Sequence, residues 1–317
     1  MKNWFHRYWF ILPTSFFLVI LPFIVPYTSL ASEMLIFAIF ALGYDILLGY
    51  TGLLSFGHAM FFGIGAYITA IVLKRLILST FVSLTLSMLL AMLVALLVGA
   101  LSLKRRGIYF VMLTLAFNQM FYFIAFQWRD LTGGDSGFHG VPRPKIGFID
   151  LNEELYFYFF VCCIFIILVL FAIRIVSSPF GQVLKAIKNN EERAMSIGYN
   201  VYAFKLISFI LSSLFASLAG GLYAIHLNFV PLDTLSINTS AEVVIMAILG
   251  GIGTLYGPVF GAMLLVYLKN ILSNWVTYWN LIIGILFVVS VLSVRQGFLP
   301  LLKEKLQSKL IIRSKTS

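Results

Sequence analysis

The sequence predicts an all-α fold, a polytopic transmembrane helical bundle of about 8–10 spans with short glycine-interrupted helices in two similar halves. Three observations predict it. The 317 residues are 61% hydrophobic and only 11% charged, with a mean hydropathy of +1.00, which no soluble domain of this size shows. Apolar stretches of spanning length, about 17–25 residues, recur along the chain. The charges between them are segregated into basic and acidic connections. The net charge of +10 therefore reads as positive loops and a basic tail between apolar spans, not as a nucleic-acid surface. Cys162 and Cys163 are adjacent and inside an apolar run, so they form neither a disulfide framework nor a metal site.

The first expected span is Trp9–Pro26. Its basic start and the small residues near Ala31 also fit a cleaved signal peptide, but the run is long and more spans follow, which favours an uncleaved helix. Met34–Tyr50 is the second span. Thr51–Gly57 is uncharged and rich in glycine, so the chain turns there without a polar loop. His58–Leu73, Phe81–Leu103 and Ile108–Phe126 come next, the second of these ending at Lys104, Arg105 and Arg106. The loop Gln127–Glu154 sets Arg129, Arg143 and Lys145 against Asp130, Asp135, Asp150, Glu153 and Glu154. Leu155–Val176 and Phe204–Leu227 are spans, and Ala241–Leu268 reads as two short ones broken at Gly250–Gly257. Trp279–Val294 is the last, before a tail, Arg295–Ser317, with six basic residues and one acidic.

Lys and Arg mark the cytoplasmic side. The N-terminus, the 104–106 cluster, the 177–203 loop and the 295–317 tail are therefore expected inside, and the acidic 127–154 loop outside. About ten crossings satisfy this arrangement, with 1–317 as a single transmembrane domain. Lys74 and Arg75 then fall outside, against the rule.

The stretch Leu48–Gly57, with Gly49, Gly52 and Gly57, echoes Leu249–Gly257, with Gly250, Gly251, Gly253 and Gly257. Both give L-G-x-x-G-x-L and then a further glycine. Matched glycine-broken segments in two halves of a membrane protein point to a translocation path. Glycine equally serves close helix packing, and the two readings are compatible. Asp45, His58 and Glu242 are ionisable groups in spans and form a possible proton relay, although interfacial placement explains each. Asn118, beside Gln119 in the middle of a span, faces either a polar solute or a neighbouring helix, the second being favoured. His226 is expected at the interface.

The segment Ser177–Ala203 is the longest polar interruption on the basic side. Pro179 and Gly181 open it where a spanning helix stops. From Gln182 to Ile197 the pattern is helical, with Val183, Ala186, Ile187, Ala194 and Ile197 on one stripe and Lys185, Lys188 and Glu192 off it. Gly198, with Asn200 behind it, is a helix stop. So charged a helix lies on the membrane or packs against something beside it. No P-loop, H-E-x-x-H or Cys/His cluster is present, so no catalytic, cofactor-binding or metal residue is expected, and any ATP is bound by another subunit.

Glu192-Arg193-Ala194-Met195-Ser196-Ile197-Gly198 resembles the EAA-x-x-x-G loop of ABC importer permeases, with Arg193 in place of the first Ala. Ala41–Tyr67, Leu131–Pro142, Ser178–Asn200 and Ile248–Ala262 together resemble the branched-chain amino-acid ABC permease family. The T-G-G-x-x-G element, Thr132, Gly133, Gly134 and Gly137, is similar to its M-type subunit. The resemblance spans residues 34–268 and implies a multi-pass permease of the bacterial inner membrane with both termini cytoplasmic. It implies a heterodimer with a second homologous permease, two ABC ATPase subunits, a periplasmic substrate-binding protein, surrounding membrane lipid and no nucleic acid. The implied substrates are Leu, Ile and Val. The implied ATPase-coupling residues are Gly181, Ala186, Asn190, Glu191, Glu192, Ala194 and Gly198. The glycines of the echo, His58 and Asn118 are path candidates. Urea and short-amide permeases share much of this pattern. An ion-coupled secondary transporter using Asp45, His58 or Glu242, or a structural membrane subunit, is the reading from another class.

Overall fold

The computed structural model describes residues 18, 20–143, 145–146, 149–275, 278, 281–282, 284–285 and 288. Much of the expected first span, most of the last, and the basic tail lie outside the described residues. The described chain is helical apart from two small two-stranded sheets, an all-α bundle. Six of its helical segments are long and apolar enough to cross a membrane: Thr28–Thr51, His58–Leu76, Thr80–Ser102, Ile108–Gln127, Glu154–Ser177 and Val201–Leu227.

Helix α1 (Thr28–Asp45) is the axis of the bundle. It has no polar stripe, and a helix apolar all round must be enclosed on every side. Its span is buried throughout, enclosed by the helices Glu154–Ser177, Val201–Leu227, Ile237–Gly250 and Tyr256–Trp275. It runs on as a π-helical turn, Ile46–Thr51, and stops at Gly52, whose φ is +79°. Helix α2 (His58–Ile71, extended by a π turn, Val72–Leu76) begins beyond the glycine-rich turn, deep in the bundle. Helices α3 (Thr80–Ser102) and α4 (Ile108–Gln127) come next. On α3, Leu89, Leu93 and Leu97 stand exposed, as do Ile108, Met112 and Phe123 on α4. Such rows of apolar side chains mark the faces that meet lipid or another subunit.

A short helix, α5 (Arg129–Thr132), leads to strand β1 (Phe138–His139) and the hairpin of β2 (Lys145–Ile146) and β3 (Ile149–Asp150). Then α6 (Glu154–Ser177), α7 (Pro179–Asn189), α8 (Glu191–Ser196) and α9 (Val201–Leu227) run to strand β4 (Phe229–Val230), which pairs antiparallel with β1, Phe138 opposite Val230. The glycine-broken run gives helices α10 (Ile237–Gly250), which is short as expected at 14 residues, and α11 (Tyr256–Trp275), which at 20 residues is as long as α4 and not the short element expected.

Small residues set the tightest helix contact. Gly65 on α2 faces the Ser217 backbone of α9, and Gly220 on α9 faces the Phe62 carbonyl of α2; a methyl at either would overlap backbone. Backbones meet this closely only through residues without bulk, the general packing device in membranes. Gly220→Ala is expected to destabilise the chain by about 1–3 kcal/mol, the usual range for overpacking. A lower melting temperature of the purified protein reads it out; an unchanged one contradicts the close approach.

The two ends of the bundle differ. At one end the 103–107 connection meets the 177–201 segment through Arg106 and Glu191, 3.5 Å apart. At the other, Lys74 donates to the His139 carbonyl (2.7 Å) and Arg75 to the Asp130 carbonyl (2.6 Å). These bonds give a partner to each of the two cations set aside by the positive-inside count. Carbonyl oxygens of the acidic loop hold them at the far end of α2, and that span stands. Arg143 also ties this loop down, donating to the carbonyls of Ile225 (3.1 Å) and His226. Burial pulls its guanidinium below the ordinary value while Glu154 opposes the shift. An arginine remains charged regardless.

Candidate functional site

The two glycine motifs meet inside the bundle. Asp45, at the end of α1, is fully buried. Its Oδ1 accepts the Gly253 N–H (2.7 Å) and its Oδ2 the Leu255 N–H (3.1 Å), both in the turn between α10 and α11. Gly49 packs against that turn, where an added methyl would stand 2.7 Å from the Gly253 nitrogen. Gly250 packs on the Gly257 carbonyl so closely that a methyl would overlap it. Gly251 and Gly253 take φ of +112° and +80°, and Leu255 a φ of +61°. A leucine in the left-handed region costs about 1–2 kcal/mol, so the turn is strained and Asp45 holds it.

The third component comes from the polar segment. Lys188, on α7, donates to the Gly49 carbonyl at 2.6 Å. Its Cγ lies 3.1 Å from where a Gly52 side chain would start, and its Nζ 3.7 Å from the same point at Gly253. One lysine thus touches both halves of the echo. Lys185 lies over the Tyr50 ring, 5.3 Å from its centroid.

The polar segment is two helices, not the single helix expected over 182–197. Asn190 is extended (φ −159°) and its side chain accepts from the Arg193 N–H (2.9 Å), so it ends α7 and caps α8. Ser178 caps α7, with Pro179 in the first turn, and Asn200 caps α9; these are the residue types that satisfy free N–H groups at helix starts. The stripe differs as well. Val183, Leu184, Ile187 and Ala194 are buried, but Ala186 and Ile197 are exposed, Ile197 at 70%. Ile197 is the cap beyond the last residue of α8 and so leaves the buried face, and Ala186, within α7, lies off the face made by Val183, Leu184 and Ile187.

The other loop residues take distinct places. A methyl at Gly181 would overlap the Val176 carbonyl, so glycine lets α7 fold back on α6. Glu191 pairs with Lys205 (2.7 Å) as well as Arg106. Glu192 is exposed, with its carbonyl accepting the Ser196 hydroxyl (2.9 Å). Gly198 has φ +96° and open space around it. Ala186, Met195, Ile197 and Tyr199 thus leave apolar surface outward at the polar end of the bundle.

The remaining candidates sit apart from this crossing. His58 is fully buried, with its Nε2 2.8 Å from the Ser212 hydroxyl and its ring edge-on to Tyr44 at 4.8 Å. Asn118 donates to the Leu235 carbonyl (3.0 Å), the inter-segment bond that its place in mid-span favours. Gly57 packs on the Thr114 backbone of α4. Glu242 pairs with Lys269 at 2.8 Å. Asp45, His58 and Glu242 thus have separate partners, and Asp45 and His58 are buried in protein rather than interfacial. His226 is buried too, near the Ser29 hydroxyl (3.4 Å) and stacked on Phe157. In the outer loop, Thr132 donates to the Ala125 (2.5 Å) and Trp128 (2.8 Å) carbonyls and accepts the Gly134 N–H (3.2 Å). Gly133, Gly134 and Gly137 all take positive φ, the reason glycine stands there.

Lys188, the pairing of Glu191 with Lys205, and the pairing of Glu242 with Lys269 do not stand out from sequence as functional contacts. The last has a visible signal all the same: an acid and a base, each alone in a short apolar helix, need a partner.

Buried helices around an axis and apolar outer faces define an integral membrane protein. The family described as "Branched-chain amino acid transport system / permease component" matches residues 27–291, and the chain belongs to it. It is 27% identical over 313 residues to the high-affinity branched-chain amino acid transport system permease protein LivM of Salmonella typhimurium, covering 91% of this chain and 74% of that one. Against LivM of Escherichia coli it is 27% identical over 304 residues, with 89% and 72% covered. The autoinducer 2 import system permease protein LsrC of Yersinia enterocolitica is 28% identical over 136 residues, 41% of this chain and 38% of that one. No solved structure matches.

Proposed function

We propose that the chain is the permease subunit of an ABC importer and forms part of the translocation path for Leu, Ile and Val. The observation that carries the reading is the contact of Lys188, on the polar segment, with both glycine motifs. In this reading α7 and α8 dock on a separate ATPase subunit at the cytoplasmic face. Their outward apolar residues Ala186, Met195, Ile197 and Tyr199 supply the contact surface. ATP binding closes the ATPase pair, the docked helices shift, and Lys188 passes the displacement to the Gly49 carbonyl. The crossing of the π turn and the α10–α11 turn then opens to one side or the other. A second homologous permease completes the path, and a periplasmic binding protein docks over the 127–154 loop. LivM relatives over most of the chain support branched-chain amino acids as cargo; the shorter LsrC match warns that the fold carries other solutes.

The test is ATP-dependent uptake of labelled leucine and urea in vesicles holding the complex, with Gly198→Asp and Glu192→Lys as loop variants. Leucine uptake is expected to require ATP. Gly198→Asp puts a side chain where φ is +96° and a negative charge at the C-terminal end of α8, and both it and Glu192→Lys are expected to lower uptake while the protein still inserts. Uptake of urea in place of leucine would reassign the cargo. Uptake by this chain alone along an ion gradient, insensitive to both variants, would sink the ABC reading and return attention to Asp45, His58 and Glu242.

A further inference from the structure

We propose that a second site lies at the opposite end of the bundle, a cavity built to take a zwitterionic amino acid with an apolar side chain. The cavity is about 580 Å³ and opens between α1, α9, α10 and α11. Its polar side holds Glu242, Lys269 and Asp233, with Lys269 Nζ 2.8 Å from Glu242 Oε1. Its other side is an aromatic cluster of Phe37, Phe62 and Tyr223, with ring centroids 5.4–5.8 Å apart, continued by Ile245 and Leu265. A solute pocket normally pairs apolar walls with a few convergent polar groups, in volumes of about 300–1,000 Å³.

The ion pair carries the chemistry. Both members are partly exposed, 34% for the Lys269 side chain and 23% for Glu242, and both line the same cavity. An ion pair serving only to join α10 to α11 has no need of a cavity beside it. An α-amino acid carries an ammonium and a carboxylate on one carbon. It inserts its ammonium toward the Glu242 and Asp233 carboxylates and its carboxylate toward Lys269, so each of its own charges meets an opposite one. Its side chain then points at the Phe37–Phe62–Tyr223 wall, where apolar area is buried. A neutral solute such as urea gains nothing from opening the pair. The volume exceeds what one leucine fills, which keeps the hold weak, as a path that must release its cargo requires. The inference rests on the importer reading, and names the chemistry by which this chain itself selects the cargo.

The test uses the membrane complex in nanodiscs without its binding protein. Saturation-transfer NMR, which detects weak binding, compares leucine with 4-methylpentanoate, which lacks the ammonium, and isoamylamine, which lacks the carboxylate. Leucine is expected to show contact, with the two analogues weaker by about tenfold, the low end of what losing one partner of a buried charge pair brings, since this pair is partly exposed. Glu242→Gln and Lys269→Met are each expected to lose leucine contact to the same degree. The exchange Glu242→Lys with Lys269→Glu restores the helix-to-helix pair but turns the ligand's side chain away from the aromatic wall, so contact stays lost. Wild-type contact in either single variant, recovery in the exchanged protein, or analogues equal to leucine would overturn the site. So would absence of leucine contact in a wild-type complex that takes up leucine when reconstituted in vesicles with its binding protein. A wild-type complex that takes up no leucine at all brings down the importer reading instead.

Discussion

Asp45→Ala is expected to release the turn between α10 and α11, reduce uptake by at least about tenfold and lower thermal stability. The carboxylate is buried and both of its oxygens accept backbone N–H groups from that turn, at Gly253 and Leu255. Hydrogen bonds to a charged group contribute about 1.5–3 kcal/mol each, and a buried donor left without its acceptor costs about 1–3 kcal/mol. Two donors lose their acceptor at once. Leu255, at φ +61°, then has nothing holding it in the left-handed region. Asp45→Asn is the informative companion. It keeps one acceptor oxygen but aims an amide NH2 at a backbone N–H, so it is expected to fall between wild type and Ala in melting temperature. An ion-coupling role for Asp45 predicts a different pattern, in which Asn folds as stably as Asp and changes only the dependence of uptake on the ion gradient. Melting temperature and uptake measured on the same two variants separate the cases.

Legibility in the sequence is a matter of range. Spans depend on local apolar length, so α3, α4 and α6 lie within a residue or two of where the apolar runs put them. The break between α10 and α11 is visible because Gly250, Gly251 and Gly253 stand together in an apolar run. Depth is not legible. Asp45 and His58 sit near the ends of their spans along the chain, and ends of spans usually meet the interface. Here α1 is the axis of the bundle, and the turn from Gly52 to Gly57 keeps both ends inside protein. The echo of the two glycine motifs is visible as similarity. That they touch is not, because a contact between Gly49 and Gly253 leaves no trace in any local window. The polar segment carries a local sign of its break, since Asn190 followed by Glu191 and Glu192 is a helix-start pattern, but the apolar positions on either side read as one stripe, and the backbone at φ −159° shows that they are two.

Lys188→Met is expected to uncouple the complex, leaving ATP hydrolysis running while uptake falls by about tenfold or more. The Gly49 carbonyl belongs to a π-helical turn, Ile46–Thr51, where the regular i to i−4 ladder is displaced and carbonyls become available to outside donors. Lys188 takes this one at 2.6 Å. A charge-assisted bond of that kind is about twice as strong as a neutral one, and losing about 1.4 kcal/mol of transmitted stabilisation is a factor of ten. Methionine keeps the unbranched stem that lies along Gly52, so packing of α7 survives while the donor is gone. The polar segment remains tied to the bundle by Glu191, which holds Lys205 at 2.7 Å, so the surface proposed to meet the ATPase keeps its place. The ratio of ATP hydrolysed to solute taken up therefore decides the matter. If Lys188 transmits motion, the ratio rises. If Lys188 only braces the docking surface, hydrolysis and uptake fall together and the ratio stays constant. If neither changes, the path from the polar segment to the crossing runs through Lys185 and Tyr50 instead, the other contact between α7 and the π turn.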